Sequence, residues 1–265
     1  MSHILRVLFD GHQKNLRDDW FSQIEPRASD RWTELGPIGE GESQSVRVQN
    51  NTDGMRGVAK PGPIPGAQQD VVRAANERLA FDLAYLLRLP VSPVRLWSEG
   101  APATYKTGRA ISCWGFQNAM KWSEAARMGL IKPAQVQSAS AMLSIARVFH
   151  TWIGDTDRKP DHTIVDLDSP DDELRFVFID HGNSLGHTFH IGNPPIRAAQ
   201  MEVANVNEDR AAMAEAADHI AQIPDEEVSR VIHRIPILFL PAPRAALILS
   251  NLLARKGNLR AALGL

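Results

Sequence analysis

One short segment of the chain, FHTWIGDTDRKPDH (149–162), concentrates acidic, basic and imidazole side chains. They belong to Asp155, Asp157, Arg158, Lys159, Asp161 and His162. Like charges at such short spacing repel each other, so clusters of this kind are usually offset by a metal ion, a basic partner or solvent. A further carboxylate, Asp180, lies in FVFIDHGNSL (176–185). A divalent cation bound by these carboxylates is therefore one interpretation of the cluster, and a basic partner or plain solvent is the alternative.

A lysine and a glutamate in the first half of the chain could complete such a site. Lys60 ends a predicted strand (55–60), and Glu77 lies on a predicted helix (69–89). A glycine-bearing turn, LGPIGEGESQS (35–45), precedes Lys60. Phosphoryl transfer uses a lysine for phosphate oxygens, a glutamate that holds the lysine, and an aspartate near the acceptor hydroxyl. Taken singly, each of the two residues is by default a solvated surface group.

The composition limits the classes of protein to be considered. The chain has 265 residues and a formal net charge of -2, so no overall field attracts nucleic acid or an anionic membrane. The single cysteine, Cys113, excludes an intrachain disulfide and a cysteine-rich zinc site and favours a cytoplasmic location. We expect no signal peptide and no membrane span, because no apolar run approaches roughly 18 residues. IPILFLP (235–241) is short and bounded by prolines and is expected in the core.

Strands are predicted early in the chain and helices later. In addition to the elements around Lys60 and Glu77, strands are predicted at 5–9, 43–50 and 91–97, and a helix is predicted at 134–153. HTIVDL and LRFVFID then form a predicted hairpin around the acidic turn DSPDDE, and helices follow from about residue 200.

This order of elements predicts an α+β protein with two lobes. The N-lobe, residues 1–118, is expected to contain a small antiparallel sheet, the nucleotide site and an N-terminal extension at 1–34. The C-lobe, residues 119–265, is expected to be helical and to carry the acidic segment.

The two loop segments resemble those of the atypical kinases of the HipA-like and phosphatidylinositol 3/4-kinase-like group. The similarity lies in GDTDRKPDHTIV (154–165) and FVFIDHGNSL (176–185), where the family carries Gly-x-x-Asp-Arg-x-x-x-Asn followed by Ile-Asp-x-Gly. NERLAFDLAYLLRLPVSPVRLW (76–97) is similar to the family's glutamate helix and the strand after it. The resemblance implies a two-lobed protein-kinase-like fold. It also implies an ATP-dependent phosphotransferase that uses Mg²⁺ or Mn²⁺ and acts on a protein Ser/Thr or small-molecule hydroxyl.

The resemblance further implies roles for individual residues. Asp157 orients or deprotonates the acceptor in the catalytic loop, and Arg158 follows it and braces that loop. Asp180 is a metal ligand. Lys60 binds the α- and β-phosphates of ATP and pairs with Glu77. The turn residues expected beside the nucleotide are Gly39, Gly41 and Ser43.

One position departs from the family pattern. Five residues after Asp157, where these kinases usually carry asparagine, this chain has His162. Magnesium prefers hard oxygen ligands, whereas a neutral imidazole suits manganese or zinc. If His162 holds the second metal, we expect Mn²⁺ to be preferred to Mg²⁺ and activity to fall as the pH drops through 6 to 7. Alternatively, Asp161 takes its place as the ligand.

Other functions and roles remain open from the sequence. The departure at His162 also fits a pseudokinase that serves as a scaffold, and the same fold could transfer a nucleotidyl group to a protein. Asp155 has the default role of capping a turn. A zinc triad of His181, His187 and His190 is an alternative, although histidines in such a segment are more often exposed or hydrogen-bonded.

Overall fold

An antiparallel sheet and one helix form the N-terminal part of the fold, and helices dominate its C-terminal part. The computed structural model describes residues 31–38, 45–52, 54–60, 72–96, 110–114, 116, 118–185, 189, 196–201, 203 and 206–265.

Lys60 lies at the end of a central strand of the N-terminal sheet. The strands are β1 (Trp32–Pro37), β2 (Val46–Asn50), β3 (Arg56–Lys60), β4 (Val94–Leu96) and β5 (Ala110–Cys113), in the antiparallel order β1-β2-β3-β5-β4. Val48, Ala59 and Ile111 form a small buried core with Trp32. Because side chains alternate along a strand, Lys60 points to the opposite face from Ala59.

Helix α1 (Arg73–Leu86) contacts β4 and β5 of this sheet. Its apolar residues Ala75, Leu79 and Leu83 are buried at the three- and four-residue spacing of an amphipathic helix. Asn76 and Glu77 are also buried. Fully buried polar side chains need partners, so these two residues are candidates for specific contacts.

The C-terminal part combines a second antiparallel sheet with several helices. Its strands are β6 (Ala119–Lys121), β7 (Thr163–Asp166) and β8 (Phe176–Phe178), in that order. The helices are α2 (Trp122–Arg127), α3 (Pro133–Ile153), α4 (Arg210–Gln222), α5 (Asp225–His233), α6 (Ala242–Lys256) and α7 (Leu259–Leu263). Helix α3 is central, since it contacts α4, α6 and α7 and buries Phe149 and Trp152 completely.

The end of helix α3 is fixed where the acidic segment begins. Gly154 terminates the helix with a φ of 71°, a left-handed conformation that favours glycine. Arg255 on α6 donates hydrogen bonds to the carbonyl oxygens of Thr151 and Trp152, at 2.5 and 2.8 Å. These carbonyls belong to the last turn, whose acceptors a helix leaves unpaired.

Residues 90–92 attach the N-terminal part to strand β8. The amide of Phe178 donates to the carbonyl of Pro90 at 2.8 Å, and the amide of Ser92 donates to the carbonyl of Phe178 at 2.9 Å. Val91 and Phe178 form a parallel bridge. The chain that leaves α1 therefore runs beside β8, two residues before Asp180.

The structure confirms the predicted fold class, with an antiparallel sheet in the N-terminal part and helices in the C-terminal part. The strand expected at 5–9 lies outside the described residues, and the lobe boundary between 118 and 119 remains a prediction. In the described part of the chain, no helix is long and apolar enough to cross a membrane.

Two local predictions hold only in part. Strand β1 extends to Pro37 and includes part of the stretch that was predicted as a glycine-bearing turn. It pairs with β2 through a register shift next to Gly36, so the sheet accommodates the irregularity. In IPILFLP, Ile235, Phe239 and Leu240 are buried in the core as expected, but Ile237 is 75% exposed and Leu238 is exposed as well.

We predict that Gly154→Ala lowers the free energy of unfolding by about 1 to 2 kcal/mol, because an L-residue is strained in the left-handed conformation. Gly257→Ala is the matched control. Gly257 also follows a helix, but its φ is -75° and an added Cβ would meet nothing within 4 Å. Urea unfolding should show no loss, or a small gain, for Gly257→Ala. Equal losses in the two variants would contradict the prediction.

Candidate active site

Lys60, Glu77 and Asp180 meet in one ion network. The Lys60 amine donates to Glu77 Oε1, and its Nζ atom lies 2.5 Å from Asp180 Oδ1. Strand β3 supplies the lysine, helix α1 supplies the glutamate, and the loop after β8 supplies the aspartate. The ion pair expected between Lys60 and Glu77 is present, and the same amine reaches the aspartate.

Burial and charge act in opposite directions on this network. Burial alone would lower the pKa of Lys60, but the carboxylates of Glu77 and Asp180 raise it above its ordinary value. Burial alone would raise the pKa of Asp180, but Lys60, His162 and Arg158 hold it well below its usual range. Lys60 and Asp180 are therefore both charged near neutral pH.

Asp180 combines a fixed backbone with an accessible side chain. Its φ of 65° is left-handed, a conformation that aspartate tolerates better than most residues but that still requires support from its surroundings. The side chain remains 45% exposed even though Oδ1 contacts Lys60. A ligand can therefore reach the carboxylate without displacing the backbone.

Arg158 joins the acidic segment to the Asp180 loop. Its guanidinium donates to the carbonyl oxygens of Ile179 and Asp180, both at 3.0 Å, and to that of His162 at 3.3 Å. It also pairs with Asp155 at 3.2 Å. The side chain is completely buried, so it contacts backbone and carboxylate groups rather than solvent.

Asp155 caps the start of the segment, as its default role predicts. Its Oδ1 accepts a hydrogen bond from the amide of Asp157 at 3.3 Å, and its Oδ2 faces Arg158. Burial raises the pKa of Asp155, although Arg158 opposes this effect. Asp155 therefore stabilises the loop from within and is not exposed on its surface.

Asp157 and Lys159 form the exposed side of the segment. The Asp157 side chain is 56% exposed, and its Oδ2 lies 4.0 Å from Lys159 Nζ. An accessible carboxylate can accept a proton, and the accessible amine beside it can counter the charge of a phosphate. Lys159 was not among the site residues predicted from the sequence, although its place two residues after Asp157 could have indicated a direct role.

His162 lies beside Asp180. Its Nε2 is 3.6 Å from Asp180 Oδ2, and its Nδ1 has no hydrogen-bond partner among the described residues. Burial, together with the charge of Arg158, lowers the pKa of His162 to about 4. The imidazole is therefore neutral near pH 7, and the fall in activity expected between pH 7 and 6 moves to lower pH.

The carboxylate of Asp161 contacts two other side chains, those of Ser123 and Lys121. It accepts a hydrogen bond from the Ser123 hydroxyl and lies 3.6 Å from Lys121 Nζ. The bond from Ser123, followed by the charge of Lys121, lowers the pKa of Asp161 despite some burial. The alternative in which Asp161 replaces His162 as a metal ligand therefore finds no support in this geometry.

The residues present fit a divalent cation that takes only part of its ligands from the protein. Asp180 Oδ2 and His162 Nε2 are the neighbouring donors. Among the described residues, no group of three or more His, Cys, Asp or Glu side chains could hold a metal ion. Phosphate oxygens or water would have to complete the coordination.

His181 packs in the core, and within the described residues it is neither exposed nor hydrogen-bonded, contrary to expectation. Its ring centroid lies 5.5 Å from that of His150 and 6.3 Å from that of Phe149. Neither of its ring nitrogens has a hydrogen-bond partner in the part of the chain that is described, and burial lowers its pKa well below the usual value. The other members of the zinc alternative, His187 and His190, lie outside the described residues, as do Gly39, Gly41 and Ser43.

Asn76 is a site residue that sequence reasoning missed. Its side-chain amide donates to the carbonyl oxygens of Gly182 and Ser184, at 2.9 and 2.7 Å. An asparagine on an amphipathic helix is by default a polar-face residue, so only its position next to Glu77 could have drawn attention to it.

No protein-family model matches the chain, and no curated protein matches it by sequence. Solved structures do match. The crystal structure of the Helicobacter pylori proinflammatory kinase CtkA has a TM-score of 0.56 and 12% sequence identity, and the match covers 88% of this chain and 93% of that chain. The structure of WaaP in complex with acyl carrier protein has 15% identity and covers 85% of this chain and 89% of that one, but its TM-score of 0.35 is too low to indicate a shared fold. The likeness to CtkA shows that the chain has a kinase-like fold.

We predict that Lys60→Met lowers the free energy of unfolding by about 3 kcal/mol, because it leaves the Glu77 carboxylate, whose side chain is 3% exposed, buried without its cation. Adding Glu77→Gln to Lys60→Met should recover at least about 1 kcal/mol of that loss, since the uncompensated charge is removed. Urea unfolding of the two single variants and the double variant measures this coupling.

The exposed pair of Lys121 and Asp161 provides the control for this cycle. Both side chains are about half exposed, so Lys121→Met should change the free energy of unfolding by less than about 1 kcal/mol. Strictly additive losses for Lys60→Met and Glu77→Gln would show that the two charges do not stabilise each other.

Proposed function

We propose that the protein is an ATP-dependent phosphotransferase of the atypical kinase type, with a protein Ser/Thr or a small-molecule hydroxyl as the acceptor. The observation that carries the proposal is the contact of the Lys60 amine with both Glu77 and Asp180. Buried charges are costly unless they are paired, and these come from three separate parts of the chain. A lysine held by a glutamate next to a partly exposed aspartate is what the binding of a nucleotide triphosphate and its cation requires.

Each residue of the site has a distinct role in this proposal. Lys60 binds the α- and β-phosphate oxygens, and Glu77 fixes its direction. Asp157 is the catalytic aspartate that orients the acceptor hydroxyl and takes its proton, a role that its exposure supports. Lys159 offsets the charge of the transferred phosphate. Arg158 is a positioning residue, because its buried guanidinium holds the two loops together without reaching solvent.

The nucleotide and the cation complete the site. Gly39, Gly41 and Ser43, which lie outside the described residues, are the proposed contacts to the phosphates. Asp180 and His162 are the protein ligands of Mg²⁺ or Mn²⁺, and this cation neutralises the phosphate oxygens when it is bound. The neutral state of His162 leaves one imidazole lone pair available for this purpose.

The proposal extends to the subgroup and to the organisation of the chain. The motifs at 154–165 and 176–185 support membership of the HipA-like and phosphatidylinositol 3/4-kinase-like group. Residues 1–118 form the nucleotide-binding lobe and residues 119–265 the catalytic lobe. The single cysteine supports a reducing, cytoplasmic setting.

A catalytically weak scaffold is the second candidate, and the geometry at His162 favours it. The two neighbouring protein donors are one carboxylate oxygen and one nitrogen, whereas magnesium prefers an oxygen shell. Nucleotidyl transfer on the same fold is the third candidate. The three functions differ in the fate of ATP, which gives a direct test.

We predict that incubation with ATP labelled at the γ-phosphate transfers label to the protein itself or to an added acceptor, whereas label at the α-phosphate is not transferred. Asp157→Asn should lower the rate by about a hundred-fold or more, because the proton acceptor is lost. Asp180→Asn should also lower the rate strongly, because a charged cation ligand is lost. Asp172→Asn, at the exposed tip between β7 and β8, is the control and should leave the rate unchanged.

The remaining outcomes identify the other candidates. Transfer of the α-label would indicate a nucleotidyl transferase. Absence of both labels, with ATP bound in a direct titration, would indicate the scaffold. A rate that survives Asp157→Asn would remove Asp157 from the proposed mechanism.

We predict that the protein prefers Mn²⁺ to Mg²⁺ and that His162→Asn shifts this preference towards Mg²⁺, because an amide oxygen replaces an imidazole nitrogen. Turnover with each cation and the affinity for Mn²⁺ in the presence of a non-hydrolysable ATP analogue measure the shift. Asp161→Asn is the matched control, since Asp161 is bonded to Ser123 and should not alter the preference. The same Mn²⁺ to Mg²⁺ ratio in wild type and His162→Asn would exclude His162 as a ligand.

A further inference from the structure

Asn76 contacts the loop that carries Asp180 at two points. It is completely buried on α1, one residue before Glu77. Its side-chain nitrogen donates to the carbonyl oxygens of Gly182 and Ser184, at 2.9 and 2.7 Å. Both carbonyls lie outside the regular strands and helices. A buried carbonyl without a donor is unfavourable, so the amide satisfies two acceptors of the loop at once.

Gly182 allows this loop to run close to helix α1. A Cβ added at position 182 would lie 3.2 Å from Glu77 Oε1 and 3.6 Å from the Cβ of Arg73. Such a contact is tighter than most side chains accept, so the glycine permits the helix and the loop to approach. Glu77 and Asn76 thus meet the same short stretch of backbone.

These contacts and the ion network form a closed series of interactions that begins and ends on helix α1. Asn76 on α1 donates to Gly182, which lies two residues after Asp180 in the same loop. Asp180 binds Lys60, and Lys60 binds Glu77 on α1. Since α1 supplies both ends of this series, a movement of the helix would change the distance between Lys60 and Asp180.

We propose that Asn76 is a positioning residue that holds the Asp180 loop against helix α1, so that the ion network of Lys60, Glu77 and Asp180 is assembled before a nucleotide binds. Residues 90–92 hold the same stretch from its other end, through the backbone hydrogen bonds with Phe178. The position of α1 is then set by contacts within the chain. The catalytic consequence rests on the proposed function, whereas the structural consequence does not.

The structural test is hydrogen exchange in Asn76→Leu, a variant of similar shape without donors. Exchange of the backbone amides in 178–185 should become at least about tenfold faster than in wild type, because the loop loses the hydrogen bonds that hold it. Asn251→Leu is the matched control. Asn251 is also buried on a helix, but its amide donates to Leu247 within the same helix, so exchange in 178–185 should not change.

The kinetic test separates positioning from simple loss of stability. Asn76→Leu should lower kcat by about ten- to a hundred-fold while KM for ATP changes by less than about threefold, because misplacement of reacting groups affects the chemical step. Asn251→Leu should leave both unchanged. Asn76→Ser, which keeps one donor, should lie between wild type and Asn76→Leu in both experiments, and it replaces Asn76→Leu if the latter does not fold.

Unchanged exchange in 178–185 in Asn76→Leu would overturn the proposal, and so would equal changes in Asn76→Leu and Asn251→Leu. A wild-type protein without any phosphoryl transfer would overturn the proposed function, and the exchange experiment would still decide the role of Asn76.

Discussion

The buried amine of Lys60 is the constraint on which the site depends. It sits between two carboxylates, and burial would drive it towards the neutral form if either partner moved away. Strand β3, helix α1 and the loop after β8 must therefore remain in contact. The desolvation of each charge is offset only in this arrangement, so a local change in any of the three elements weakens the whole network.

The backbone around Asp180 is fixed to meet this constraint. Phe178 is held by residues 90–92, the carbonyls of Ile179 and Asp180 are held by Arg158, and those of Gly182 and Ser184 are held by Asn76. A left-handed aspartate is tolerated in the middle of this stretch because hydrogen bonds support it on both sides. The same contacts bring together parts of the chain that are far apart in sequence, so the acidic segment and helix α1 both pack against the Asp180 loop.

The sequence predicts the parts of the site that depend on local pattern. Lys60 at a strand end, Glu77 on an amphipathic helix and Asp180 after a hairpin strand follow from periodicity and turn residues, and the structure brings these three together. Features that depend on tertiary packing could not be predicted in this way. His181 is buried and has no hydrogen-bond partner among the described residues, which contradicts the usual preference of histidine. Asn76 has an ordinary polar position in its helix pattern. Ile237 lies in an apolar run, yet it is exposed, because a short run does not specify which of its side chains face the core.

The two oxygens of the Asp180 carboxylate have different neighbours, and this makes His162 important for the site. Oδ1 is taken by Lys60, and Oδ2 is the oxygen that faces His162. Oδ2 is thus the oxygen that remains open to a further ligand, and the His162 imidazole nitrogen lies 3.6 Å from it. Because that nitrogen is neutral near pH 7, it adds a lone pair without adding charge. The site therefore offers one negative oxygen and one softer neutral donor, where an asparagine would offer a second hard oxygen.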